Sequence, residues 1–396
     1  MELNLYLINT LFASSLGMSL VAMHFSLLNN PQIEIEEFIK TTFYERYGHI
    51  LNDQTANTYF SFLTSIFFAG SMVGTLCLGG YAANKYGRRK SLIYVQFAVM
   101  CGTLIAGGSK FMNSYELFLI GRALTGVGIG VITVIMPLYI SEVLPISKRG
   151  VGGMFVTLAL AFGATFVFGI GQYALLGNDT YWPFLILLMI VPSIIFLMLI
   201  SMAPESPRYL ILTLNKVEEG QFVLSKLRGG NQEEVENEIS NMEEERSHAQ
   251  ECPTNDPTSI WQILNTPKFR LPLFVCICVT MSQVMSGFPI MVIYSTKLFQ
   301  LSGLGLVVSK HATLLWSTVN LFIPPFFGYL VEKVGRRKLL LGSIAMSIFC
   351  TISISVVLSI AHGGKKKYFL SQFVLLIYKV YRAKKLDPFS MIKCLK

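Results

Sequence analysis

Apolar residues in this chain run in long blocks separated by short polar turns, with little of the alternation expected of half-buried strands. The blocks fall near residues 5–28, 59–83, 91–108, 117–143, 151–176, 182–203, 271–296, 309–331 and 339–361. Most reach the roughly 20 residues an α-helix needs to cross a bilayer. A continuous apolar block can satisfy its backbone within a membrane only as a helix, so the pattern predicts an all-α membrane protein with nine spans. The first block has no basic start and no clear small-residue cleavage site, so it reads as a span and not as a secretory leader.

Charge placement changes the picture in two ways. The chain is 53% hydrophobic and 14% charged, with a formal net charge of +9. Residues 363–396 hold nine Lys/Arg against the single acid Asp387, so the remainder is nearly neutral and a nucleic-acid partner is a poor reading. The loops after the second, fourth and eighth blocks carry Lys85, Arg88, Arg89, Lys90, Lys148, Arg149, Lys333, Arg336, Arg337 and Lys338. The opposite loops offer Lys40, Arg46, Lys110, Lys297 and Lys310. Basic loops favour the cytoplasm, which puts the glycosylation acceptor Asn178 of Asn178-Asp179-Thr180 outside.

The blocks also show a duplication. Gly80-Tyr81-Ala82-Ala83-Asn84-Lys85-Tyr86-Gly87-Arg88-Arg89-Lys90 returns as Gly328-Tyr329-Leu330-Val331-Glu332-Lys333-Val334-Gly335-Arg336-Arg337-Lys338, each between two apolar segments. Repeated halves are expected of a membrane carrier. The resulting division is an N-terminal six-span half (1–203), a cytoplasmic helical linker (204–270), an incomplete C-terminal half of about three spans (271–361) and a basic tail (362–396). Within the linker, Val235, Ile239 and Met242 recur at helical spacing among glutamates, which predicts amphipathic helices docking beneath the bundle.

Chemistry of other kinds finds little support. Cys276 and Cys278 lack flanking metal ligands, and no nucleophile–base pair or phosphate loop stands out, so neither an enzyme nor a cofactor is expected. Gly126-Val127-Gly128-Ile129-Gly130 imitates a nucleotide fingerprint but lies inside a span with no preceding strand. Close helix packing is the expected use of Gly126 and Gly130. Ser286-Gly287-Phe288-Pro289 predicts a kink in its helix, either a discontinuity of the kind that forms carrier sites or a simple packing kink.

The doubled basic turn is joined by Gly121-Arg122, by Pro137-Leu138-Tyr139-Ile140-Ser141-Glu142 with Arg149-Gly150 beyond, and by Pro204-Glu205-Ser206-Pro207-Arg208-Tyr209-Leu210. Together these resemble the sugar-porter branch of the major facilitator superfamily, most closely its facilitative glucose transporters, over roughly residues 15–360. Phe43-Tyr44-Glu45-Arg46-Tyr47-Gly48 is similar to the fructose-transporter-like subgroup.

The resemblance implies a major facilitator fold and uniport of a hexose, polyol or similar small neutral solute by alternating access. It implies a cytoplasmic gate of exposed ion pairs from Arg88, Arg89, Glu142, Arg149, Glu205, Arg208, Glu332, Arg336 and Arg337. Exposed pairs are worth only ~0–1 kcal/mol each, which suits bonds broken in every cycle. The plainer reading, that the basic residues only orient the spans, is preferred for Lys85, Lys90 and Lys338. Asn84 stands where the first copy usually has an acid.

Arg122 is the only formally charged residue within the nine blocks away from their ends, and intramembrane carboxylates are what proton relays usually need. Proton-coupled relatives carry an Asp in the first span, at the position read here as Ser19. Neutral solutes call for amides, which donate and accept. Gln283 and Asn320 match two of the family's amides, and Thr157 stands in place of a third. The second Gln and the Asn of the seventh-span motif are replaced, which widens the expected solute beyond glucose.

After Ile360 nothing resembles the family's last three spans, and Lys365-Lys366-Lys367 follows on the side where basic residues are disfavoured. The expectation is a C-terminally truncated carrier of the plasma membrane. The alternative is a non-transporting membrane protein that binds or regulates a full-length carrier.

Overall fold

The computed structural model describes residues 5–145, 149–230, 232–251, 267–285, 287–301, 303–335 and 338–349 except 347, together with residue 352. The described segments are helices joined by turns. They form two compact units, Met1–Asp256 with Ile290–Phe326, and Pro257–Pro289 with Phe327–Lys396.

In the first unit, α1 (Leu5–Ser26) leads through a short turn to α2 (Gln32–Tyr47), which stops at Gly48 in the left-handed conformation. The apolar stretch Asp53–Tyr86 is one long helical path made of α3 (Asp53–Val73), a wider π-helical segment (Gly74–Gly79) and α4 (Gly80–Tyr86). Next come α5 (Arg88–Gly108), α6 (Tyr115–Val143), α7 (Arg149–Ile170), α8 (Trp182–Leu188) and α9 (Ile190–Met202). α6 begins where Ser114 Oγ accepts a hydrogen bond from Leu117 N at 3.3 Å, an ordinary side-chain cap. The linker supplies α10 (Val217–Leu227) and α11 (Gln232–Glu251), after a single π-helical turn at Tyr209–Thr213.

Among the described residues, seven helical segments are long and apolar enough to cross a membrane: Tyr6–Ser26, Asp53–Tyr86, Arg88–Gly108, Tyr115–Val143, Gly150–Ile170, Trp182–Met202 and Leu306–Leu330. The chain is thus a multi-pass membrane protein with an all-helical fold. The block near 271–296 is divided within Ser286-Gly287-Phe288-Pro289, a discontinuity where the sequence leaves open either a break or a packing kink. Gly287 has φ +81° between α12 (Pro267–Met285) and α13 (Phe288–Leu301), and Pro289 lies in the first turn of α13, where its missing donor costs nothing. α14 (Leu306–Val334) follows, and most of the last block lies outside the described residues.

Packing in a membrane relies on close approach because lipid is as apolar as the helix surfaces. Gly126 and Gly130 of α6 supply that approach. A Cβ on Gly126 would come within 2.2 Å of Phe67 O, and one on Gly130 within 2.1 Å of Ser71 O, so α3 and α6 touch backbone to backbone. The glycine run is a packing stripe, as its place inside an apolar block predicts. The upper core closes around Trp182, whose ring stacks on Phe118 at 5.7 Å and tilts against Phe38 of α2 at 5.5 Å.

The amphipathic reading of the linker also holds. Val235, Ile239 and Met242 pack with Ile211 and Leu224. Arg228 donates to both carboxylate oxygens of Glu238, at 3.0 and 2.9 Å, and to Val143 O at 2.9 Å. One guanidinium therefore joins α11 to the end of α6.

Candidate functional site

The basic turn between α4 and α5 is built on a glycine. Gly87 has φ 86° and ψ 174°, a region open to essentially glycine alone, and a Cβ there would sit 2.6 Å from Glu205 Oε2. α5 starts at the next residue, so its first backbone N–H groups need acceptors from elsewhere. Glu205 Oε1 provides one, accepting from Arg88 N at 2.8 Å, Arg89 N at 3.1 Å and Ser206 N at 3.0 Å. A carboxylate at this position also meets the positive end of the helix dipole.

With its backbone held in this way, Arg88 turns its guanidinium inward. Nη2 donates to Glu142 Oε1 at 2.8 Å, and the two side chains are only 10% and 6% exposed. Nη1 donates to Ala83 O at 3.4 Å, and the guanidinium lies 5.0 Å from the Tyr209 ring centroid. Tyr209 hydroxyl donates to Lys85 O at 3.3 Å, and Tyr139 hydroxyl to Pro204 O at 2.6 Å. Burial, reinforced by Glu205, raises the Tyr209 phenol above its ordinary value, with Arg88 opposing. Arg89 donates through its guanidinium to Ser201 O.

This geometry differs from a set of exposed pairs. Arg88–Glu142 is buried, and the described contacts of Glu205 include a backbone cap that sequence motifs do not reveal. Both Arg88 and Glu142 belong to the first six spans, so their pair braces that rim internally. Arg208 is half-buried within the same motif. The side chains of Arg149 and Glu332 lie outside the described set, as do residues Arg336 and Arg337 altogether.

A second polar region joins the turn after α1, together with α7, to α13 and α14 within the first unit. Asn29 Nδ2 donates to Val292 O and Ser295 Oγ, each at 2.8 Å, while Thr296 N donates to Asn29 Oδ1 at 3.1 Å. Asn30 accepts from Thr296 Oγ1 at 3.0 Å and donates to Phe168 O and Gly171 O of α7 and the turn after it. Thr296 and Thr313 hydroxyls are 3.0 Å apart, and those of Thr165 and Ser317 are 2.8 Å apart. Gln172 Nε2 donates to Lys310 O at 3.0 Å. This seam is built from neutral amides and hydroxyls.

Of the three expected solute residues, Asn320 continues the polar stripe of α14 one turn beyond Ser317, half-buried, with Nδ2 donating to Trp316 O at 2.9 Å. Thr157 is exposed on α7, about 12 Å along the helix from Thr165 at ~1.5 Å per residue, and its hydroxyl donates to Gly153 O at 3.0 Å. Gln283 is exposed on α12 and belongs to the second unit. Asn178 lies in the turn before α8, where its Oδ1 accepts from Tyr181 N at 2.9 Å. Ser19, the position read as replacing an acid, is buried and donates to Ser15 O and Ala159 O, each at 2.9 Å.

The seam residues Asn29, Asn30, Thr165, Gln172, Ser295, Thr296, Thr313 and Ser317 were not among the sequence candidates. A signal existed on α14, where Lys310, Thr313, Ser317 and Asn320 recur three and four residues apart on one side of an apolar helix. Arg122 also has a defined place: its Nη2 donates to His24 O at 3.3 Å and its guanidinium lies 4.1 Å from the Phe67 ring centroid.

Comparisons with known proteins agree with this architecture. The family profile "Sugar (and other) transporter" matches residues 10–383. The chain is 30% identical over 334 residues to the chicken (Gallus gallus) solute carrier family 2, facilitated glucose transporter member 1, covering 84% of this chain and 66% of that protein. It is 35% identical over 323 residues to member 2 from the same organism, covering 82% of this chain and 59% of that protein. The chain thus spans about three fifths to two thirds of the length of these curated relatives. Among solved structures, the proton:xylose symporter XylE bound to 6-bromo-6-deoxy-D-glucose superposes with TM-score 0.74 at 20% identity, over 95% of this chain and 78% of that one. XylE from E. coli in a partially occluded inward-open conformation gives 0.71 at 20% identity, over 94% and 81%. These likenesses give the fold as that of the major facilitator superfamily. By a match across most of its length, the chain belongs to the Sugar (and other) transporter family.

Proposed function

We propose that the chain takes part in uniport of a hexose, a polyol or a similar small neutral solute across the plasma membrane, by alternating access. Family membership supports the class, and the neutral seam joining α7 and the turn after α1 to α13 and α14 carries the reading of the solute. Amides and hydroxyls can exchange bonds with sugar hydroxyls without creating an unpaired buried charge. In this reading Asn320 and Thr157 are the solute candidates of the first unit, on α14 and α7, and Gln283 on α12 is that of the second, each by its match to a family position. The organisation is an N-terminal six-span half at 1–203, a linker at 204–270, second-half spans at 271–361 and a basic tail at 362–396.

The gate at the cytoplasmic rim comprises Arg88, Arg89, Glu142, Arg149, Glu205, Arg208, Glu332, Arg336 and Arg337. Arg88, Glu142 and Glu205 stiffen the first half so that it moves as one body. Arg149, Arg208, Glu332, Arg336 and Arg337 complete the proposed gate by their places in the family motifs. Asn178 is proposed as the glycosylation acceptor on the outer side.

The test is uptake of labelled glucose, fructose and a polyol by cells lacking their own hexose carriers and displaying this chain at the surface. Saturable uptake of at least one solute, reduced about tenfold or more by Asn320→Ala with surface display retained, is the expected outcome. Surface-displayed chain with no uptake above control cells contradicts it. Retention of a co-expressed full-length carrier by such an inactive chain would favour the binding or regulatory reading.

A further inference from the structure

At the end of the first unit opposite the basic turns lies a buried ion pair that the sequence does not announce. Lys310 Nζ of α14 donates to Glu34 Oε1 of α2 at 2.7 Å, and the two side chains are 0% and 2% exposed. The same ammonium donates to Gly177 O at 2.7 Å and stands 5.4 Å from the Tyr173 ring centroid. The backbone carbonyl of Lys310 accepts from Gln172 of the turn after α7. One residue therefore ties the start of α14 to α2 and to the turn between α7 and α8.

A second pair lies nearby. Lys297 Nζ of α13 donates to Glu36 Oε1 of α2 at 2.8 Å and to Asn57 Oδ1 of α3 at 2.7 Å. Its side chains are 30% and 16% exposed, so this pair is wetter than the first. Gln32 holds Glu36 from the other side, donating through Nε2 at 2.7 Å.

We propose that Glu34–Lys310, supported by Glu36–Lys297, is an ionic latch that closes the outer face by clasping α13 and α14 to α2. A buried ion pair contributes little net stability because both ions lose their hydration, but removing one partner strands the other in a dry site. Such a pair specifies which surfaces meet and makes separation all-or-none, since the ions must be rehydrated together. That is the behaviour of a catch. Next to it along the chain, with Thr296 beside Lys297 and Thr313 one turn after Lys310, the neutral seam of Asn29, Ser295, Thr296 and Thr313 is buried, so opening the latch is the step expected to expose it from this side.

Burial holds the Glu34 carboxyl above the ordinary carboxylate range, with the Lys310 hydrogen bond and charge pulling the other way and Asp179 nearby adding to the rise. A carboxyl that binds its proton more tightly when buried than when wetted is not released by acid. Charge exchange is therefore the sharper probe.

The inference rests on the membrane topology and not on transport. It is tested on the full chain, in a background with the seven native cysteines replaced by Ser. Ser317→Cys provides a reporter in the seam and Ile50→Cys an exposed reference on the same side. A membrane-impermeant maleimide is added from outside, and the labelling rate of the first is divided by that of the second. The expected result is that E34Q and K310M each raise the ratio tenfold or more, while E34K/K310E together return it towards the parent. The wetter variants E36Q and K297Q raise it a few-fold and bear the test if the buried singles fail to fold. Parent-level ratios in E36Q and K297Q, or a charge exchange that labels as fast as the buried singles, would overturn the latch. Labelling is read without solute, so a failure here leaves the carrier reading standing and the converse also holds.

Discussion

At the residue scale the inner rim depends on a few side chains whose neighbours decide their role. Arg88 and Glu142 are recognisable in the sequence as the ends of two motifs, yet nothing in the spacing says that they pair with each other in a buried position. That pairing follows from Gly87, whose turn aims the first residue of α5 inward, and from Glu205, which takes the backbone donors and leaves the guanidinium free for Glu142. Glu142→Gln removes one charge from a pair about nine-tenths buried and leaves Arg88 without its counter-ion. A loss of roughly 3–5 kcal/mol is expected, by the usual cost of breaking a buried pair on one side. Thermal unfolding of the purified variant in detergent checks it; a midpoint unchanged from the parent would mean that the pair is wetter or looser than its geometry implies.

At the element scale, the helices were legible because their cause is local. An apolar block of about 20 residues has no alternative to a helix in lipid. A kink or break at Gly287 was legible for the same reason: Gly287 and Pro289 have strong conformational preferences of their own. The contacts between helices were less so. The glycine stripe of α6 announces close packing but not its partner, which is α3, with Gly70 and Gly74 of the same helical path pressing on Ala123 O and Val127 O.

The consequence is testable by contrast. Gly130→Ala puts a methyl 2.1 Å from the Ser71 backbone oxygen and is expected to destabilise by about 1–3 kcal/mol through overpacking. Gly153→Ala, on α7 with no atom within 4 Å of the added carbon, is expected to stabilise by a few tenths to about 1 kcal/mol. Equal shifts in both variants, measured by the same thermal unfolding, would remove the argument that α3 and α6 meet backbone to backbone.

At the scale of the whole molecule, the sequence shows the doubled basic turn but not the residues that join α13 and α14 to the earlier helices of the first unit. Asn29, Thr165 and Gln172 sit in turns or apolar stretches where a single polar residue is unremarkable. Only the fold shows that they face Ser295, Thr296, Ser317 and the Lys310 carbonyl across 138 to 267 positions of chain. Long-range hydrogen bonding of this kind has no local pattern to read, apart from the stripe on α14. The same reason hid Glu34–Lys310: each charge looks like an ordinary helix-end residue until the two helices are brought together. Neutral groups in the seam and charged groups at the rims are the division expected of a carrier that must hold an uncharged solute and close around it.

The most direct measurement of that claim is exchange of labelled hexose in proteoliposomes containing only this chain. Vesicles are preloaded with unlabelled sugar and read with and without an imposed proton gradient. Saturable counterflow above protein-free vesicles is expected, unaffected by the gradient because, among the described residues, the hydrogen-bonded groups of the seam are amides, hydroxyls and backbone, and the nearby Glu34 carboxylate is held by Lys310. Folded, membrane-inserted chain that exchanges no sugar, or exchanges it only when a proton gradient is applied, would contradict the account.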